Sequence, residues 1–422
     1  MRWRSMRCGL LTLGMAIGVL QPASGDAPVV EPSSKSPEVG RLIRQLADRD
    51  FATRQAAERR LLSLGHVALS PVEAAATSSD PELRIRARRL AIQLRDHCFE
   101  QRLAAFVRGR RGLSSETLPG WEEFQELAGD AHASRRVFAE IYEADPQLFN
   151  LAFAESNSVD GDTNHWRLPP TLETRAIALQ RALSTRRNRK QDRQQAVAAA
   201  LAIHFIAAAN PASVTPRTAQ SVTQLARSEL VKPAKDNDAL AGAIRSVMTT
   251  WIVGSQTEDL YALSQMLKLA EQLKLRDAVP FALAIATGER AIKPNQAQFR
   301  ARALLMVGKL GNQSHLHRLE PLLDDQAVCA SQSGRAGRQA VLLDVEIRDV
   351  ALAVMLHLAG EEPGAFGFAK ALAHSDRLFA LHTLAFRTKI DRDEALAAWR
   401  SRPNISDAAS VRLAGQEFRQ LR

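Results

Sequence analysis

Leu83-Arg84-Ile85-Arg86-Ala87-Arg88-Arg89-Leu90-Ala91-Ile92-Gln93-Leu94 is the stretch whose reading decides the fold. Its frame returns as Phe299-Arg300-x-x-Ala303-x-x-Met306-Val307-x-x-Leu310. It returns again as Ile347-Arg348-x-x-Ala351-x-x-Val354-Met355-x-x-Leu358. Apolar residues at i, i+4, i+7, i+8 and i+11 draw one stripe along an α-helix. The fixed arginine beside the stripe and the small residue inside it go beyond amphipathicity. Chance would give on the order of 0.3 such matches in this composition, so three copies predict a repeated helical unit.

Around the first copy the chain carries start and stop signals. Asp80 suits a helix cap, Pro81 the first helical position and Glu82 the positive helix end. Upstream, Asp50 is placed to cap a helix over 51–64, with Gly65 as its stop. A helix from His66 is expected to be distorted or restarted by Pro71. Residues 38–112 thus read as about two helical hairpins. The interior carries no clean copy of the stripe, yet 172–183, 194–209, 217–230, 239–253 and 258–273 each show helical spacing. Further helices are expected near 376–388, 391–400 and 406–421. The segment 324–338, with Ser331, Ser333, Gly334 and Gly337, reads as the one long loop within the repeats.

Asp80-Pro-Glu-Leu-Arg84-Ile-Arg-Ala87 resembles the second-helix motif of HEAT-like repeats, and Phe51-Ala-Thr-Arg54-Gln-Ala-Ala57 is a looser version. The likeness extends to exported bacterial proteins with HEAT-like repeats at both ends. It is carried in the middle by Trp121-Glu-Glu-Phe124, Arg136-Val-Phe-Ala-Glu140 and Ala144-Asp145-Pro146. Toward the end it is carried by 316–323 and by Val345-Glu-Ile-Arg348-Asp349-Val-Ala351. The resemblance implies that the motif arginine and aspartate are scaffold residues linking neighbouring repeats. The expected fold is all-α, an α-solenoid of HEAT-like helical hairpins over 38–112 and 277–422, with a less regular helical middle over 113–276.

Residues 1–25 read as a signal peptide: Arg2, Arg4 and Arg7, an apolar run over 8–20, then Ala23-Ser24-Gly25. That run makes a helix of roughly 20 Å, short of a bilayer core of about 30 Å, so no stable membrane span is expected. Residues 26–37, rich in proline and serine, read as a flexible linker. Export would place the chain in the periplasm or outside the cell, and would lower the net charge from +10 to +7. Such a location disfavours nucleic acid as a partner. Aromatic residues are only 5% of the chain, which favours close-packed helices over sheets. Cys98 and Cys329, two cysteines far apart in sequence, are not a disulfide framework; a buried or idle thiol pair is expected, with a single bridge in an oxidising compartment as the alternative.

The usual catalytic signatures are absent: no His-Glu-x-x-His, no Gly-x-Ser-x-Gly, no phosphate loop and no Cys-x-x-Cys. Asp160-Gly-Asp162-Thr-Asn164-His165 opens like a calcium loop, but His165 replaces the required glycine and Thr171 the closing glutamate. His315 and His317 do not share a helix face, so a surface or capping role is expected. Arg186, Arg187, Arg189 and Lys190 form the densest basic cluster and are the candidate binding residues, by charge alone. No catalytic, metal or cofactor residue is expected. The expected role is a non-enzymatic scaffold for an unidentified protein partner in the cell envelope. The alternative is binding of an anionic envelope polymer through the basic faces.

Overall fold

A computed structural model describes residues 36–109, 118–153, 168–185, 190–236, 238–290, 296–336, 339–368 and 378–402. Residues 1–25, expected to be a signal peptide, most of the expected linker, the Asp160–His165 stretch, Arg186, Arg187, Arg189 and the helix expected over 406–421 lie outside the described residues. The chain is mostly helical and divides into two compact units, with the division at Arg102/Leu103.

The first unit holds α1 (Ser36–Gln45), α2 (Phe51–Leu64), α3 (His66–Ala75) and most of α4 (Pro81–Val107). Helix α1 takes in Ser36 and Pro37, the end of the expected linker. Asp50 caps α2 by accepting from the Thr53 amide at 2.8 Å. Gly65 ends α2 with a φ of +57°, a conformation that favours glycine. Asp80 accepts from the Glu82 amide at 2.9 Å, and α4 starts at Pro81 as expected. The restart expected at Pro71 is corrected: α3 runs through it without a break. Its ring removes one backbone donor, and the buried Ala68 and Val72 on either side hold the turns against the core. That core joins Val39, Leu42, Leu61, Val72, Leu90 and Leu94.

In the second unit, α5 (Trp121–Ala128), α6 (His132–Ala144) and α7 (Pro146–Phe153) gather an aromatic cluster. Phe138 sits at its centre, 5.3 Å from Trp121, 5.2 Å from Phe124 and 5.5 Å from Phe149 between ring centroids. Then come α8 (Leu168–Thr185), α9 (Lys190–Ala209), α10 (Pro216–Leu225), α11 (Ala239–Gly254) and α12 (Leu260–Leu273). These match the expected interior helices, except that 226–230 winds as a π-turn after α10. Residues 200–208 of α9 are buried on every face, so α9 packs against α6, α8 and α11 as a central helix.

The unit continues with α13 (Val279–Ala286), α14 (Ala297–Leu310), α15 (Leu316–Leu319), α16 (Ile347–Ala359) and α17 (Lys389–Arg400). All three copies of the stripe are helical, and Leu94, Leu310 and Leu358 are buried. No helix among the described residues is long and apolar enough to cross a membrane.

Two expectations are corrected here. Most of the expected loop 324–338 is strand: β1 (Val328–Ala336) pairs antiparallel with β2 (Gln339–Glu346). In β2, Val345 faces inward while Leu342 and Asp344 face out, a period of two. In β1 an irregularity in the pairing between Val328 and Ala330 breaks that period, leaving Cys329 buried and Ser331 exposed. The second correction concerns the helix expected over 376–388. Residues 378–388 are extended around a 3-10 turn at Leu381–Leu384. The buried Phe379, Leu381, Leu384 and Phe386 are spaced 2, 3 and 2 apart, which scatters them around a helix but suits an extended chain with one tight turn.

Candidate functional site

The motif arginine has a recurring job. Arg84 of α4 donates to the carbonyls of Ser78 at 2.8 Å and Ser79 at 3.4 Å, in the turn that feeds its own helix. Arg54 of α2 does the same to Asp48 and Arg49, each at 2.8 Å. Arg300 of α14 donates to the Ala286 carbonyl at 2.9 Å, at the end of α13, and pairs with Asp325 at 2.8 Å. The last carbonyls of a helix or turn lack intrahelical donors, and a guanidinium with five N–H groups supplies them.

The same contact exposes a copy that the sequence frame missed. In α11, Ile244-Arg245-x-x-Met248-x-x-Trp251-Ile252 holds the register with methionine in place of alanine, and its apolar members are buried. Arg245 donates to the Ala234 carbonyl at 2.7 Å and to Asp236 at 3.3 Å, again the turn entering its helix. Arg135 of α6 reaches the Phe106 carbonyl at 3.4 Å and Asp130 at 2.8 Å. The signal that could have found these helices is arginine three residues before a buried position of any size.

Arg348 and Arg392 gather a buried charged cluster. Arg392, on α17, forks onto Asp349 of α16 at 2.8 and 3.0 Å, and onto Glu346 at 2.8 Å. It also donates to the Asp344 carbonyl of β2 at 3.0 Å. Arg348 holds the other Glu346 oxygen at 2.6 Å. Glu346 and Asp349 also complete a reciprocal cap at the start of α16, with the Glu346 amide on Asp349 at 2.8 Å. Burial pushes the Asp349 carboxyl up to about 6, with the bonds from Glu346 and Arg392 opposing it. Burial, helped by the Asp349 carboxylate, pushes the nearby Cys329 thiol up to about 12. Cys329 therefore stays a neutral thiol, donating to the Val345 carbonyl at 3.3 Å. The acids here are engaged by arginine and backbone groups, so the cluster fastens α17 and the hairpin to α16.

Other titratable and open features add little chemistry. His315 bonds the Asn312 amide at 3.1 Å, the capping role expected of it, while His317 is exposed. No metal-holding group of His, Cys, Asp or Glu occurs among the described residues. Cys98 and Cys329 are free thiols. A cavity of about 210 Å³ is lined by Gln298, Phe299, Arg302 and Leu381, below the size usual for small-molecule sites. Arg302 there is committed to the Ser264 hydroxyl at 2.5 Å. Of the candidate basic cluster, only the backbone of Lys190 is described, as the first residue of α9.

The clearest open surface lies on α4. Ile85 is 64% exposed and Ile92 58%, and seven residues apart they share one helix face. Of the arginines near them on α4, Arg84 is spent on carbonyls, Arg86 pairs with Glu82 at 2.5 Å and Arg88 reaches the Ala76 carbonyl at 3.2 Å. A scan for known protein families returns no match, and neither does a search of curated proteins.

Proposed function

We propose that this chain is a non-enzymatic scaffold, an α-solenoid of HEAT-like hairpins over 38–112 and 277–422 that mediates protein contacts in the cell envelope after export. The observation that carries the reading is the shared arginine. In α2, α4, α11 and α14 it stands at the same distance from a buried stripe and is consumed by carbonyls that enter or precede its helix. A residue committed in that way is a repeat fastener, in keeping with the HEAT-like resemblance. Arg245 extends the reading into 113–276, so the middle takes part in the same kind of stack. Helical hairpins that share such fasteners bury each other's apolar stripes and leave extended faces, the geometry repeat proteins use for protein partners.

Affinity capture from envelope extracts tests the reading. It predicts a protein recovered in fixed ratio that survives a rise in salt. Recovery of acidic polymer alone overturns it. The second reading, an anionic envelope polymer held by basic faces, is favoured by the exposed arginines of α4, among them Arg89 and Arg95. Binding of that kind weakens steeply with ionic strength, so a salt titration of captured material separates the two.

A further inference from the structure

Helix α17 stands on a small apolar footing. It buries Ala395, Leu396 and Trp399 together with Arg392. Beyond these it is held by Arg400 on Asp324 at 2.5 Å, an exposed pair, and by Arg402 on Glu361 at 2.6 Å. Pairs of that kind contribute little, so an element built this way opens at a lower free energy than the core beneath it. Its closure has one large consequence. With α17 in place the Asp349 carboxylate is 1% exposed, and both of its oxygens receive Arg392. Glu346 draws on the same guanidinium at 2.8 Å and on Arg348 at 2.6 Å. Two acids therefore share Arg392 in a site nearly closed to water.

Taking a carboxylate out of water costs least when it is neutral. We propose that α17 is a proton-sensitive clasp, closing more firmly on α16 and β2 when Asp349 is protonated and loosening when it ionises. In the closed form burial holds Asp349 at about 6, against the ordinary 3.8 to which it returns when α17 leaves and water reaches it. The closed form takes up a proton between those values that the open form does not. Closure thus tightens as pH falls through about 6 and weakens above it. The titratable groups facing Asp349 do not reverse that sign. The Glu346 amide and Arg392 of α17 lower its pKa, the Glu346 carboxylate of β2 raises it, and Cys329 of β1 is a neutral thiol. Arg348 of α16 is spent on Glu346, and Asp344 turns outward onto Ser331 at 2.7 Å. Asp325, ahead of β1, is paired with Arg300 of α14 at 2.8 Å. The extended stretch 378–388 sets the uncharged Phe386 ring against Arg392. The inference goes beyond the scaffold reading and does not rest on it.

Amide exchange of the full chain at pH 5 and pH 7 tests it, with protection expressed against the unfolded chain at each pH. The amides of α17 should be about tenfold better protected at pH 5 than at pH 7. Those of α9 and α11 report the core and should gain no protection at pH 5, because the buried His204 weakens the core in acid. Asp349→Asn cannot ionise and should hold α17 protection within about twofold between the two pH values. The Asp349 carboxyl carbon, followed by NMR in the parent chain, should titrate at about 6, a measurement that stands even where the variant misfolds. Equal or lower α17 protection at pH 5 overturns the proposal. So does an unchanged pH dependence in Asp349→Asn, or a parent carboxyl that titrates at or below the ordinary 3.8.

Discussion

His204 makes stability depend on pH in a way that can be worked from its surroundings. It is fully buried within α9, with Nδ1 bonded to the Ala200 carbonyl at 2.7 Å. Burial lowers its pKa to about 4, and the Ala200 and Val222 backbones offset only part of that. In the unfolded chain the ring titrates near 6.5. Below that value the unfolded chain binds the proton more tightly, so stability present above pH 6.5 is lost as pH falls toward 4. The loss is about 2 kcal/mol by pH 5 and about 3 kcal/mol by pH 4. Asp349 acts in the opposite direction: its raised pKa stabilises the fold as pH falls from about 6 toward 3.8. The assay is therefore a comparison. Urea unfolding of the parent chain and of His204→Leu is followed from pH 4 to pH 7.5, and the difference between the two curves cancels Asp349. That difference should change by about 3 kcal/mol across the window, whatever the offset at pH 7.5. Parallel curves would refute the buried neutral histidine and with it the packing of α9.

Arg392→Met takes from the buried Asp349 both bonds of its arginine, while Glu346 keeps Arg348. It should cost about 3–5 kcal/mol in urea unfolding, while exchange of the α17 amides rises first. Arg245→Met should cost about 1.5–3 kcal/mol, the same range as Arg300→Met, since each strands a carbonyl that a charged donor served; a neutral Arg245→Met would remove the middle region from the repeat. Gly308→Ala should destabilise by about 1–3 kcal/mol despite the better helix propensity of alanine. A methyl there would meet Leu378 at 2.5 Å and Val354 at 3.2 Å, and a raised Tm would contradict that packing of α14 on α16.

Much of the architecture was legible in the chain. Helical periodicity placed α2, α14 and α16 to within a residue or two and the start of α4 at Pro81, because an apolar stripe and a cap are local properties of ten to fifteen residues; that α4 runs on to Val107, past its stripe, was not legible. The interior helices were legible for the same reason, with Asn210-Pro211 and Lys232-Pro233 as breaks. The hairpin was not legible. Strand β1 has little intrinsic signal, and its pairing depends on a partner strand that local pattern does not specify. Residues 378–388 were misread because Phe379 and Phe386 answer to partners outside their own stretch, His357 of α16 and Phe368. Nor did the sequence reveal Arg392 as the most connected charge in the C-terminal part. Its three acceptors lie 43 to 48 residues away.

Sequence by itself determined that this chain forms helices, which side of each is apolar, and that one arginine-marked helix recurs. Those are contests between neighbouring residues, settled within a turn or two. Only the tertiary structure decided where those arginines end and that a degenerate copy in α11 has the same contact. Burial and hydrogen bonding are properties of what comes to lie opposite, and a stripe alone cannot name its neighbour.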